Sequence, residues 1–187
     1  MSIDRDFPPL AIDPEDFAAA INAGAVDACL LYARQSDRDC QADAELNCRV
    51  AERLFHRGRH NEALECGRRA LGLTVSDPKT LNFCAWLFSN SGCHQEAASA
   101  YLCLLDLYPD WTEGYRRASG SLMAAGAISE AIDCALEACA RDPQNSEYAL
   151  HAGSLLLSIG RREEAAVLAE ESSDRRAASD RHHHFSG

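Results

Sequence analysis

Five glycines recur at intervals of 34 residues along this chain of 187 residues. They are Gly24, Gly58, Gly92, Gly126 and Gly160. Each of the last four is followed, four and five residues later, by the dipeptide Glu-Ala. A fixed period that is held without an insertion indicates a repeat architecture, in which each unit buries its apolar face against its neighbours. This period therefore constrains the fold more strongly than any local motif.

The apolar pattern inside each period predicts two helices per repeat. Large apolar residues stand four positions before the glycine, and small residues stand seven positions before it. The large set is Leu54, Phe88, Leu122 and Leu156, and the small set is Ala51, Ala85, Ser119 and Gly153. A second stripe follows the glycine and includes the alanine of Glu-Ala. Spacings of three and four residues place each stripe on one helix face, and the glycine between them leaves the helical region at low cost.

In this pattern the chain resembles the tetratricopeptide repeat family, whose unit is a helix-turn-helix of the same length. Pro109 and Pro143 add to the resemblance, because each falls at the end of a predicted second helix. The resemblance implies an all-α fold, a right-handed superhelical solenoid of helix-turn-helix repeats. Four repeats are predicted, at residues 44–77, 78–111, 112–145 and 146–179.

Both ends of the chain depart from the clear repeats. Residues 1–9 are expected to be a disordered segment. Residues 10–43 are either a degenerate terminal repeat or a set of capping helices, and the sequence leaves both alternatives open. Asp13-Pro14 in this segment is typical of a helix N-cap followed by proline at the first helical position. Residues 180–187 are expected to be a polar tail, in which His182–His184 is either native or a cloning remnant.

The charge and hydropathy of the chain indicate which partners it could bind. The formal net charge is −11, whereas a nucleic-acid-binding domain usually carries a basic face and has a high pI. No apolar run approaches the roughly 18–20 residues that a membrane helix needs. The N-terminus lacks the basic and apolar regions of a secretory signal. The sequence therefore predicts a cytoplasmic protein that binds neither nucleic acid nor membrane.

No motif of catalysis or metal binding stands out. The sequence contains no glycine-rich phosphate loop, no GxSxG elbow and no HExxH. It has nine cysteines but no CxxC pair, and several of these cysteines fall on predicted apolar stripes. We therefore expect a protein that is not an enzyme, without cofactor or metal site, in which cysteine serves as a small buried residue in a reducing compartment.

In the tetratricopeptide family the first helices of successive repeats line a concave groove that holds a segment of a partner. By spacing, this resemblance assigns a peptide-binding groove to a mixed set of amide, charged and aromatic residues. They are Arg49, Glu52, Lys79, Asn82, Trp86, Asn90, Arg116, Arg117 and His151. Asn82 is suited to pairing with a peptide backbone, and Trp86 to anchoring an apolar side chain. Arg116 or Arg117 is suited to binding a carboxylate.

Structural alternatives stay open for several of these residues. Trp86 could be buried against the next repeat, and His151 could have a purely structural role. Arg116 and Arg117 could be an ordinary solvated pair.

The expected function is that of a protein-protein interaction scaffold that binds a peptide segment of a partner. Two alternatives are the N-terminal docking domain of a longer enzyme, for example a bacterial transferase, and a cytoplasmic chaperone of a secreted substrate. A homodimer through the C-terminal repeat is a further expectation. The exposed side of Leu155, Val167 and Leu168 must be capped by a polar last helix, or be covered by a second copy or a continuation of the chain.

Overall fold

The computed structural model of the protein describes residues 25–35, 41–74 and 76–184. Every regular element in these ranges is a helix. The helices are α1 (Val26–Gln35), α2 (Gln41–His56), α3 (His60–Leu73), α4 (Pro78–Asn90), α5 (His94–Leu107), α6 (Thr112–Ala124), α7 (Ile128–Arg141), α8 (Ser146–Ser158) and α9 (Arg162–His184). The predicted all-α class is confirmed. The predictions for residues 1–9, for Asp13-Pro14 and for Gly24 lie outside the described residues.

The recurring glycines mark equivalent helix ends. Gly58, Gly92, Gly126 and Gly160 have φ angles of 76°, 79°, 84° and 84°, in the left-handed region that residues with a Cβ rarely adopt. The residue after the glycine closes the turn. Its backbone N–H donates to the carbonyl oxygen of the large apolar residue that stands four positions before the glycine. This bond joins Arg59 to Leu54, Ala127 to Leu122 and Arg161 to Leu156, each at 2.9 Å. Such a bond terminates a helix and satisfies one of its last carbonyls.

The chain divides into two compact units, one ending at Gly92 and the other starting at Cys93. In the first unit each of α1 to α4 packs against its neighbour in sequence, and α2 also contacts α4. Leu54, Leu87 and Phe88 are at most 1% exposed and belong to its core. Gly67 lies against this core, because a Cβ added to it would come within 2.8 Å of Leu87 Cδ2.

The second unit contains α5 to α9, again packed pairwise in sequence order. Its core includes two clusters of mostly small and aliphatic side chains. One is formed by Ala135, Ala138, Cys139, Tyr148, Ala152 and Leu155, and the other by Ile132, Leu156 and Ala165. Small residues at such contacts let paired helices approach closely.

The C-terminal helix α9 continues to His184, so that residues 180–184 of the predicted tail are helical. Of the three residues whose exposed side was expected to need a cover, Leu155 is buried and Leu168 is half-buried. Val167 is 55% exposed. Of these three side chains, only Val167 therefore remains largely exposed, so the apolar surface at this end is smaller than the sequence suggests.

Candidate functional site

The predicted groove residues of the first unit lie on α2 and α4. Lys79, Asn82, Trp86 and Asn90 follow one another at spacings of three and four residues, which places them on one face of α4. Lys79, Asn82 and Asn90 are exposed, and Trp86 is half-buried.

Helix α4 begins with a well-defined cap. Asp77 accepts hydrogen bonds from Thr80 N at 2.9 Å and from Thr80 Oγ1 at 2.7 Å, and Pro78 occupies the first helical position. The hydrogen bond from the Thr80 hydroxyl holds the pKa of Asp77 below its usual range. This cap fixes the start of α4, and with it the position of Lys79.

A cavity of about 260 Å³ opens between α2 and the start of α4. Its lining mixes both signs of charge with a thiol and an aromatic ring. The residues are Glu45, Cys48, Arg49, Glu52, Asp77, Lys79, Thr80 and Phe83. The structure thus brings three of the predicted groove residues, Arg49, Glu52 and Lys79, to one cavity.

The charged side chains that line this cavity differ in whether they form ion pairs within the protein. Arg49 Nη2 lies 2.6 Å from Glu45 Oε1, and both side chains are more than half exposed. An exposed pair of this kind on one helix contributes little to stability and leaves the arginine accessible. Within the described part of the chain, no side-chain hydrogen bond or ion pair engages Glu52 or Lys79. Glu52 can therefore meet a ligand without losing an internal bond, whereas the charge of Lys79 also acts on the carboxyl group of Asp77.

An aromatic cluster lies next to the exposed polar face of α4. The ring centroids of Phe55 and Trp86 are 5.1 Å apart in an edge-on arrangement, and those of Phe83 and Trp86 are 5.9 Å apart. The ring of His60 lies 4.9 Å from that of Phe55. Such contacts hold the indole in place while part of it stays in solvent. Trp86 is therefore both packed within the unit and open to a ligand.

Asn90 uses its amide group locally. Its Nδ2 donates to the carbonyl oxygen of Trp86 at 2.7 Å, one turn earlier in the same helix. Its side-chain oxygen is the group it can offer to a peptide N–H.

In the second unit the two predicted arginines already share a carboxylate. Glu113 Oε2 accepts from Arg116 Nε at 2.7 Å, and Glu113 Oε1 accepts from Arg117 Nε at 3.0 Å. The hydrogen bond from Arg116 is the main reason why the pKa of Glu113 lies below its usual range. A carboxylate from a partner would have to compete with Glu113 for these guanidinium groups.

His151 joins two helices of the second unit. Its Nε2 lies 3.2 Å from Ser119 Oγ, so that α8 is linked to α6. Ser119 is fully buried and His151 is half-buried. Burial, and secondarily the positive charge of Arg116, lowers the pKa of His151 below its ordinary value of 6.5. The environment favours the neutral ring.

We expect His151 to make the stability of the protein depend on pH just below neutrality. As the pH falls through 6.5 toward the lower pKa of the folded state, the unfolded chain binds a proton that the folded chain does not bind. Stability is therefore lost as the pH falls in this window. Replacing His151 with glutamine should flatten the dependence there. Denaturation midpoints measured at several pH values between about 7 and about 5 test this.

Glu113 provides an internal reference for that experiment. Its lowered pKa stabilises the fold above its ordinary value of 4.5, and this contribution is lost as the pH falls below that value. The His151→Gln variant should therefore still lose stability in acid. If the denaturation midpoints of wild type and variant change with pH in parallel above pH 4.5, His151 does not contribute to the pH dependence of stability.

Sequence reasoning missed Glu45 as a cavity residue, and it missed several side-chain contacts of these surfaces. Glu45 and Cys48 lie one helical turn before Arg49 and Glu52, and this spacing could have placed them on the same face. The spacing of Glu113 from the two arginines was likewise readable as a pair of i, i+3 and i, i+4 contacts. The bond between Ser119 and His151 gave no such signal, because it depends on how two helices pack.

Helix pairs joined at left-handed glycines at a constant interval define a TPR-like helical repeat protein. Solved structures of MamA, which have this kind of fold, resemble the chain. One described as a crystal structure of MamA protein superposes with a TM-score of 0.65 at 14% identity, covering 88% of this chain and 90% of that chain. MamA residues 41-end from Desulfovibrio magneticus RS-1 give a TM-score of 0.62 at 13% identity, covering 89% and 94%. Identities this low establish the fold alone.

Other comparisons give no further relationship. No protein-family model and no curated protein matches the sequence. Within the described ranges, no helix has the length and apolar character needed to cross a membrane. In the same ranges, no three His, Cys, Asp or Glu side chains are grouped so that they could hold a metal ion.

Proposed function

We propose that this chain is a tetratricopeptide repeat protein that acts as a protein-interaction scaffold and binds a peptide segment of a partner in its predicted groove. The TPR-like fold supports this proposal, because stacked helix pairs leave an extended surface for recognition. The observation that carries it is the half-buried indole of Trp86, held by Phe55 and Phe83 on the same helix face as exposed polar groups.

The surface around Trp86 has the composition of a binding hot spot. A rigid aromatic ring offers a large contact area at a low cost in conformational entropy, and tryptophan is enriched among residues that dominate binding energy. Asn82 and Asn90 can pair with peptide backbone groups, and Lys79 and Glu52 can meet charges of either sign. A partner segment with an apolar side chain between polar neighbours fits this pattern.

The predicted groove residues of the second unit would recognise a narrower range of partner groups. Arg116 and Arg117 are each between one third and two fifths exposed but are already paired with Glu113. We assign to them the recognition of an acidic group that can replace Glu113. To His151, which lies on α8 and contacts Ser119 of α6, we assign a polar contact with the same partner segment.

Replacing Trp86 with alanine should weaken the binding of a selected peptide about tenfold or more, because truncating a central aromatic anchor typically costs about 2 kcal/mol or more. Peptides would first be selected from a random display library on the wild-type protein. Their affinities for wild type and variant would then be measured by isothermal titration calorimetry.

Tyr108→Ala is the matched control for this experiment. Tyr108 is 49% exposed and lies outside the predicted groove positions, so its removal should leave the affinity unchanged. If no peptide is enriched, or if both variants bind as tightly as the wild type, the proposed groove is not a peptide-binding surface.

We extend the proposal to the setting of the protein. A cytoplasmic location and a protein partner, without nucleic acid or membrane, accord with the net charge of −11. A homodimer through the C-terminal repeat would use the exposed side chains Leu150, Leu157 and Val167, which are 71%, 56% and 55% exposed.

A further inference from the structure

The cavity between α2 and α4 adjoins the aromatic cluster around Trp86. Phe83 belongs to both, because its side chain lines the cavity and its ring centroid lies 5.9 Å from that of Trp86. On α2, Glu52 lines the cavity, and the ring centroid of Phe55, one turn later, lies 5.1 Å from that of Trp86. The cavity and the half-buried indole are therefore neighbours, offset by about one helical turn, or roughly 5 Å, along both helices.

The charge that this cavity leaves uncompensated is negative. Arg49 lies 2.6 Å from Glu45 and is paired with it. The charge of Lys79 acts on the carboxyl group of Asp77, which also accepts the capping hydrogen bonds of α4. Glu52 is exposed and, among the residues that the structure describes, has neither a hydrogen-bond nor an ion-pair partner. The formal net charge of −11 adds a wider field of the same sign, which favours the approach of a cation.

We propose that the cavity takes up a lysine or arginine side chain of a partner peptide, with the carboxylate of Glu52 as its counter-ion, while an apolar side chain of the same peptide covers Trp86. This pairing rests on the peptide binding proposed above and adds the chemical class of the partner. The partner would be a basic segment that carries an apolar residue close to one of its cations.

The size and the lining of the cavity suit a single basic side chain. Its volume of about 260 Å³ lies below the roughly 300–1,000 Å³ of pockets that enclose whole small molecules. The half-buried ring of Phe83 offers an apolar wall along which a methylene stem can pack, and the face of such a ring attracts a cation. A guanidinium or ammonium group can then donate charge-assisted hydrogen bonds to the oxygens of Glu52.

The distance between the cavity and Trp86 restricts the sequence of the partner. In an extended segment, side chains two residues apart point to the same side at a separation of roughly 7 Å. In a helical segment, side chains three or four residues apart are separated by roughly 5–6 Å. Both separations match an offset of about one helical turn. We therefore expect the basic and the apolar residue of the partner to be two to four positions apart.

Peptides selected from a random display library on the wild-type protein provide the test. The expected result is enrichment of lysine or arginine two to four positions from an apolar residue. One synthetic peptide of this kind, and the same peptide with its basic residue replaced by glutamine, would then be titrated calorimetrically. Glu52→Gln should weaken the binding of the basic peptide about three- to tenfold, and it should leave the binding of the glutamine peptide unchanged.

Two further variants exclude indirect effects. Glu170→Gln removes the same charge from an exposed position on α9, in the other unit, and should leave both affinities unchanged. Glu52→Lys reverses the charge in the cavity and should invert the preference. A form of the peptide with glutamate in place of its basic residue should then bind more tightly than the basic form. A merely structural role of Glu52 would weaken all these peptides alike.

Absence of the cation site can be told apart from absence of peptide binding. If selected peptides lose affinity for Trp86→Ala but bind Glu52→Gln as tightly as wild type, the peptide surface stands and the cation site is overturned. Enrichment of acidic peptides that lose affinity for Lys79→Met would overturn it as well, because a carboxylate would then occupy the cavity. If no peptide is enriched, both proposals fail.

Discussion

Alanine in place of Leu156 is expected to lower the free energy of unfolding by about 2–5 kcal/mol. Leu156 is 2% exposed and packs in a cluster with Ile132 and Ala165. Truncation removes buried apolar surface and leaves a cavity that three helices enclose. Urea denaturation followed by far-ultraviolet circular dichroism would measure the loss.

The neighbouring residue gives a control of identical chemistry. Leu157 is 56% exposed on the same helix, α8, so Leu157→Ala should change the stability by about 0.5 kcal/mol or less. Equal losses in the two variants would mean that the face assigned to the core of α8 is wrong.

Alanine in place of Gly114 should destabilise the protein by about 1–3 kcal/mol, although alanine is the better helix former. A Cβ at this buried position would come within 2.8 Å of Trp111 Cδ2 and within 2.9 Å of Leu105 Cδ2. The indole ring and the leucine must both move to make room. Thermal and urea denaturation of the variant would show the effect.

The same substitution at Gly120 tests this explanation within one helix. Gly120 also lies on α6, but a Cβ there would meet no atom within 4 Å. Gly120→Ala should therefore stabilise the protein by about 0.5–1 kcal/mol. If both variants lose stability, the cost at Gly114 does not come from crowding.

The repeat period made the core and the turns predictable. Leu54, Phe88, Leu122 and Leu156 were placed on the buried face by their distance from the glycine, and they are at most 6% exposed. The four glycines at the predicted turns have positive φ angles. Both results follow from local geometry, since helical periodicity and the conformational freedom of glycine are properties of short stretches of chain.

The candidate site was predictable only in part. Spacing along α4 brought Trp86 and Asn82 to one face, but the half-burial of the indole depends on how Phe55 of α2 packs against it. A single sequence specifies which face of a helix is apolar, whereas the rotation of one helix against another is set by the complete contact surface.

The shared carboxylate of Glu113 has a consequence for selectivity. The two guanidinium groups hold their own counter-ion, so an incoming acidic side chain must take part in an exchange. One ion pair forms while another of similar strength is released into water. This exchange of ion pairs changes the free energy of binding little, so a peptide would gain little affinity from negative charge alone. Discrimination at these arginines would therefore rest on geometry, favouring an acidic group whose two oxygens reach both side chains at once.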